Sequence, residues 1–542
     1  MGTHPKGLYL LAATEMAERF SYYGMRALFV LYMVAAFFTT DLASQIYGVY
    51  TGLVYLTPLI GGIVADRLWG HNRSIIVGGI LIALGQFCMF LSASFAKQSI
   101  FTAGAAVSAS VDNTMPIFLL ICALVLIILG NGFFKPNIST MVGSLYDADD
   151  ARRDSAFTIF YMGINFGAVF APIICGIVGQ GSWDNIAPFK WGFLCACIAM
   201  VVSLVLFVLL RKRYLVTPGG EPIGLPPTDE QKRAFKEANA AAASNRKASG
   251  THSKGRIALL LLASIALYVL FIWNANDVTD YISSLVFDLS IVVAVYVATD
   301  PSLTLGARRR LYAIYIFAGL SMFFFAVFEQ AGASLTLIAD TYVDRSVGGF
   351  TVPTAWFQSV EPCMVVIMAP IMATLWERLD KRGKNPSVPA KFVIGMFLLT
   401  VAYLVFALAS GGIGSGSAKI SMLWLVALYL IESIGELTIS PIGLSLVNSL
   451  APRRSLTLVM GVWFSANAIG NLIAGNISTL LPTMGPDGSF QVETFLFFQI
   501  ASIRDFSILL AVVSACTMLL AIVLVRPLLR LMRSDDELKE TA

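Results

Sequence analysis

The chain has 542 residues, 57% of them hydrophobic and only 13% charged, with a mean hydropathy of +0.77. A soluble globule of this size needs far more charge to cover its surface, so the composition excludes one. The formal net charge of +4 decides little; where the charges lie decides more.

The opening "MGTHPKGLYLLAATEMAER" has no short apolar core followed by a small-residue cleavage site, so no cleavable signal peptide is expected. Lys6 stands where a myristoylation signal needs Ser or Thr. Apolar runs of about 20 residues, each enough to cross a bilayer, then recur along the whole length. Six spans are predicted near 8–36, 44–66, 74–95, 115–144, 155–179 and 190–211. A long polar stretch follows, in which Thr228, Asp229, Glu230 and Gln231 fit a capping box leading into an Ala-rich run, the pattern of a short surface helix. Two spans come near 257–275 and 280–298, and six more near 312–340, 352–376, 390–411, 420–449, 457–481 and 503–529. This is an all-α polytopic membrane protein of fourteen transmembrane helices, divided as 1–211, 212–311 and 312–542. The Gly-rich "GGIGSGSAK" reads as a flexible outer connection.

Lys and Arg crowd into the connections on one side: both termini, "HNR", "ARRD", the polar stretch, "ARRR", "ERLDKRGK" and "APRR". The bias of basic residues toward the cytoplasm places that side, with both termini, inside the cell. The seven cysteines form no CxxC pair and read as small packing residues, not as disulfides or a zinc site. His4, His71 and His252 all fall outside the apolar segments, so no imidazole relay crosses the membrane. No GxSxG, HExxH or P-loop is present, which leaves no basis for an enzyme. No cofactor, metal or nucleic-acid partner is expected.

Charges inside the spans carry the functional signal. A charge near the bilayer centre costs about 2.5–3.5 kcal/mol or more and normally faces a cavity with a partner. In "ATEMAERFSYYGMRALFVLYM", Glu15, Glu18, Arg19, Tyr22, Tyr23 and Arg26 make one helical stripe. Lys135 lies in "GNGFFKPNIST", Glu329 in "FFFAVFEQAG" and Glu361 in "FQSVEPCM", while Glu432 and Glu436 share a face at i and i+4. The first half thus supplies three cations and two acids, the second half only acids. If the halves face each other, the cavity between them is a dipole that suits a zwitterion better than a sugar or a lone anion such as nitrate. Tyr55, Tyr161 and Asn165, Phe325 and Trp463 accompany these charges.

At this point the residues resemble a known family. "EMAERFSYYG" is similar to the ExxERFxYYG signature of the proton-coupled oligopeptide transporters, a branch of the major facilitator superfamily, and "GGIVADRLWG" resembles that superfamily's G-x-x-x-D-R-x-x-G loop. "GNGFFKPNIS", "FTIFYMGINFGA" and "GELTISPIGLSL" look like further family blocks, so the resemblance covers essentially the whole chain. It implies two six-helix bundles about a central cavity that opens alternately to either side, with the extra pair of spans similar to a hairpin found in prokaryotic members. It also implies inward symport of di- and tripeptides with protons as the coupling ion, in a bacterial inner membrane, by a functional monomer.

By the same resemblance Glu15, Glu18 and Arg19 serve proton coupling together with Lys135. Arg26 pairs with Glu329 at an outer gate, Lys135 pairs with Glu436 at an inner gate, and Asp66 and Arg67 belong to the loop that accompanies gating. Glu436 engages the peptide's amino end. Tyr23, Tyr55, Asn165, Ser440 and Trp463 match substrate-pocket positions, and the neighbouring charges and aromatics Tyr22, Arg26, Lys135, Tyr161, Phe325 and Glu361 are expected to line the pocket with them. Two positions depart from the family pattern: Glu361 replaces an asparagine, and Phe325 sits where tryptophan is common. Glu432 is an additional acid.

Overall fold

The computed structural model describes residues 4–97, 112–147, 150, 152–230, 232–233, 237, 254–411, 419–452, 455–483 and 490–533. The Ala-rich run after Thr228 and the centre of "GGIGSGSAK" lie outside the described residues.

Sixteen helices organise these segments. The first six are α1 (Lys6–Ala36), α2 (Thr40–Val64), α3 (His71–Phe95), α4 (Thr114–Gly143), α5 (Arg153–Gly179) and α6 (Phe189–Tyr214). A hairpin follows, α7 (Lys254–Phe271) and α8 (Val278–Ala298). The second half contains α9 (Leu305–Phe328), α10 (Ser334–Thr341), α11 (Val360–Lys381), α12 (Val388–Ala409), α13 (Met422–Leu437), α14 (Ser440–Leu450), α15 (Leu456–Ser478) and α16 (Ile503–Leu531). Side-chain caps mark several starts: Thr39 accepts from the Leu42 amide at 3.4 Å, Thr304 from Ala307 at 3.2 Å and Ser502 from Asp505 at 3.2 Å. Short two-stranded ribbons pair Ser346–Val347 with Phe350–Thr351 and Glu493–Phe495 with Phe498–Ile500, both antiparallel, while Val343–Asp344 runs parallel to Ile420–Ser421.

Among the described residues, twelve helical segments are long and apolar enough to cross a membrane. Two further crossings complete the expected fourteen. The first, α1, is less apolar because of the charges it buries, and the second, α7, is shorter at 18 residues. Two crossings expected to be continuous are broken. The ninth expected span, 312–340, stops at Phe328, passes through a 3₁₀ turn at Glu329–Gly332 and resumes as α10. The 420–449 span breaks between Leu437 and Ser440, where Pro441 lacks an amide to continue the ladder and sits in the first turn of the new helix. Both breaks fall beside intramembrane acids.

The first six helices pack mainly on one another, α3 on α4 and α6, and α1 on α5 and α6. The second set does likewise, α12 on α16 and α13, and α9 on α15. The two sets meet where α2 lies along α15 and where α5 meets α11 and the turn at Thr354–Ser359. At the first seam a Cβ on Gly48 would stand 2.8 Å from the Asn471 carbonyl and 2.9 Å from the Gly475 Cα, so the backbones touch without side chains between them. The hairpin helix α8 leans on α2, α9 and α15 together, bridging that seam.

Candidate functional site: a charged cavity between two helical sets

Hydrogen bonds between the two sets cluster in the half of the molecule remote from the termini. The Ser359 hydroxyl donates to the Val169 carbonyl (2.7 Å), the Trp356 indole to Ile173 (3.1 Å), the Gln180 amide to Thr354 Oγ1 (3.0 Å) and the Trp183 indole to Asp340 (3.1 Å). In the same half Arg26 forms its expected ion pair with Glu329 across the seam and donates through Nε to Tyr47 Oη at 2.5 Å. The 3₁₀ turn that carries Glu329 reaches Tyr47 only because position 332 is glycine: a Cβ there would lie 1.7 Å from the tyrosine oxygen. That side of the cavity is shut.

Toward the terminal face the partners part. The expected pair between Lys135 and Glu436 is not formed: among the described residues neither group has an ion-pair partner. The Lys135 ammonium lies 5.1 Å from the centre of the Tyr55 ring, an arrangement held by the ring's negative face. Glu436 accepts from Ser440 at 3.1 Å through Oε1, and its Oε2 has no partner. Glu361, in the first turn of α11, is half-buried. Glu432 is 1% exposed with neither oxygen paired.

The α1 charges form a closed triad. Arg19 approaches Glu18 at 2.5 Å and Glu15 at 3.1 Å and reaches Asn131 Oδ1 at 3.4 Å. Glu18 and Glu15 are 0% and 2% exposed, and each keeps one oxygen without a partner. One guanidinium shared by two buried carboxylates balances only one of them. The second needs either the nearby Lys135 or a proton. The α1 acids, expected to engage Lys135, therefore make their direct pairs with Arg19 instead, because Arg19 is on the same helix face and its fork reaches both.

The pocket residues sort by depth. Tyr23, Tyr55 and Tyr161 are at least partly accessible, and Asn165 donates to the Tyr161 carbonyl at 2.9 Å. Tyr22 and Trp463 are not surface-lining in this state. Tyr22 is buried between the Arg19 guanidinium, Tyr23 and Tyr50, and the Trp463 indole is packed on Gly443, where a Cβ would stand 2.0 Å from the ring. Phe325 stacks edge-on with Phe324 and Phe328. Asp66 and Arg67 occupy a π-helical turn, Ala65–Trp69, at the terminal end of α2, with Asp66 3.6 Å from the His71 ring.

Several contributors escape a charge-based reading of the sequence. Tyr47 and Asn131 orient the two arginines. Gln330 ties its turn to α15, donating to the Ala474 carbonyl (3.0 Å) and accepting from Ser478 (2.7 Å). The uncharged amide in "GNG" and the neighbour of Glu329 in "FEQAG" are the signals that were there to use. Asp288 on α8, 2% exposed, accepts from Ser264 on α7 at 2.7 Å and locks the hairpin.

Comparison with known proteins accords with this geometry. Residues 72–489 match the family model PTR2, described as the POT family. The peptide transporter YePEPT of Yersinia enterocolitica is 36% identical over 488 residues, 88% of this chain and 87% of that protein. A di-/tripeptide transporter of Lactococcus lactis subsp. cremoris is 34% identical over 496 residues, covering 88% and 89% respectively. Among solved structures, a peptide transporter POT in complex with sulfate is 30% identical with a TM-score of 0.73, covering 98% of this chain and 97% of that one. A POT family transporter in complex with a thioalcohol-conjugated peptide is 29% identical with a TM-score of 0.72, covering 97% of each.

Proposed function

The chain belongs to the POT family, and from that premise we propose that it is a proton-coupled symporter that imports di- and tripeptides by alternating access. The terminal face, rich in Lys and Arg, is the cytoplasmic side of a bacterial inner membrane, and residues 1–211 and 312–542 are the two bundles that rock about the central cavity. The working unit is a single chain, and protons are the only coupling species. The observation that carries this reading is the split state of the two charge pairs: Arg26 and Glu329 are joined on one side while Lys135 and Glu436 are apart on the other. A cavity shut outside and unlatched inside is one half of an alternating-access cycle.

Charge balance supplies the coupling. With the cavity empty, Arg19 and Lys135 together offset Glu15 and Glu18. A peptide's carboxylate brings one more negative charge, and Lys135 is the unpaired cation able to receive it. The α1 acids then have only Arg19, and a buried carboxylate that loses a neighbouring cation favours its protonated form. Peptide and proton therefore enter together. The peptide's ammonium meets Glu436, with Glu361 beside it on α11. Tyr23, Tyr55, Tyr161 and Asn165 contact the peptide between its charged ends, with Phe325 and Trp463 behind them. Closing the inner pair while the outer one opens completes the cycle. For a neutral dipeptide each co-transported proton carries one charge, driven by about 2.3 kcal/mol per 100 mV.

The test is uptake of labelled dialanine into proteoliposomes with and without an inward acid gradient. Accumulation above the external concentration only with the gradient is the expected result. Entry at the same rate and to the same level without it overturns coupling, and no entry at all overturns peptide transport.

A further inference from the structure

On the terminal face, away from the central cavity, α3, α6 and the chain leaving α6 enclose a pocket of about 490 Å³. Its lining contains three cations, Arg73, Arg211 and Lys212, and no carboxylate. None of the three pairs with an acid among the described residues, and the Arg211 Nε is buried with no hydrogen-bond partner. The remaining walls are mostly apolar, Trp69, Ile76, Val77 and Leu225 among them.

The pocket is built. After α6 the chain turns back at Val216–Pro222, and Ile223 donates to the Leu215 carbonyl at 3.1 Å. The returning strand is tied to the start of α3 by the Asn72 amide on Gly224 O (2.9 Å) and the Asn72 side chain on Ile223 O (2.6 Å). Leu215 and Ile223 are buried in the core of the first bundle, which fixes the returning segment against it. Asn72, Leu215 and Ile223 also belong to the lining, so buried residues anchor the wall that the exposed Pro222 and Leu225 complete.

We propose that this pocket binds the phosphate headgroup of an anionic phospholipid. Two guanidiniums and an ammonium without counter-ions suit a phosphodiester, which arginine contacts in bidentate fashion. The position at the ends of membrane-crossing helices is the depth at which headgroups lie, and basic pockets there recruit anionic lipid. The apolar walls distinguish a lipid from free phosphate: Ile76 and Val77 continue down α3 into the span, where acyl chains run. The bound lipid ties the linker segment 215–226 to the first bundle.

The experiment is native mass spectrometry of the full-length protein in detergent, supplied with equal phosphatidylglycerol and phosphatidylcholine. The wild type is expected to retain phosphatidylglycerol at least about tenfold over phosphatidylcholine, in line with three cations near an anionic headgroup. The combined variant Arg73→Gln, Arg211→Gln, Lys212→Gln should lose that preference. A matched variant on the same face of the second bundle, Lys381→Gln, Arg382→Gln, Lys384→Gln, should keep it. Arg73→Gln alone, at an exposed position, should lower it several-fold and guards against misfolding of the combined variant. Equal retention of the two lipids by the wild type, or the same loss in both triple variants, overturns the site. Displacement of the lipid by millimolar inorganic phosphate overturns its assignment to a lipid.

Discussion

Arg19 holds two buried carboxylates while Lys135, the other cation of the cavity near them, rests on an aromatic ring. This asymmetry makes specific demands on individual substitutions. Glu18→Gln removes a carboxylate that has 0% exposure and one unpaired oxygen. It is expected to abolish pH-driven accumulation of dialanine while preserving counterflow exchange, because the neutral amide mimics the protonated acid. Intact gradient-driven accumulation in that variant would refute the coupling role. Lys135→Ala removes the receptor for the peptide's carboxylate. Hydrogen bonds to charged groups contribute about 1.5–3 kcal/mol, so dialanine affinity should fall by at least about tenfold in a direct binding assay. Unchanged affinity would defeat that assignment. The charges of the cavity were legible in the sequence because each one is expensive in lipid and therefore stands out. Their partners were less so. Tyr47 and Asn131 are neutral and common within apolar helices, and only the fold shows that they meet Arg26 and Arg19. The pairing of Lys135 with Glu436 is a property of one conformation, and a sequence does not say which conformation is populated.

Among the elements, α2 and α15 form the tightest seam between the halves, with Gly48 facing Asn471 and Gly475. Gly48→Leu would force the backbones apart, and overpacking of this kind costs about 1–3 kcal/mol. It should prevent closure of the face remote from the termini, so both net uptake and counterflow should drop by more than about tenfold. Retained counterflow would show that this seam need not close. That outcome separates a closure defect from the coupling defect of Glu18→Gln. The number and order of crossings were readable from apolar periodicity and length, including α1 despite its charges. The breaks at Glu329–Gly332 and Leu437–Ser440 were not. Hydropathy is continuous through both: the first interruption is set by a tertiary contact, Gly332 against Tyr47, and the second by Pro441 inside an otherwise unbroken apolar run. Asp288 went unread for a related reason, since its partner Ser264 lies on the other arm of the hairpin.

At the scale of the molecule the halves behave as two bodies joined remote from the termini, with α8 lying across their seam. The contact of Gln180 with Thr354 at 3.0 Å belongs to the closed face. A reducible bifunctional thiol reagent joining cysteines placed at these two positions should hold that face shut and stop uptake, with recovery on reduction. Undiminished uptake by the cross-linked protein would mean the bundles do not separate there. The central claim is that a peptide's negative end draws a proton into the cavity with it. Its most direct test is the lumenal pH of proteoliposomes, held at zero membrane potential with equal starting pH, when unlabelled dialanine is added outside. The lumen should acidify in step with peptide entry and should not do so with Glu18→Gln; peptide entering the wild-type vesicles at constant lumenal pH would contradict the account.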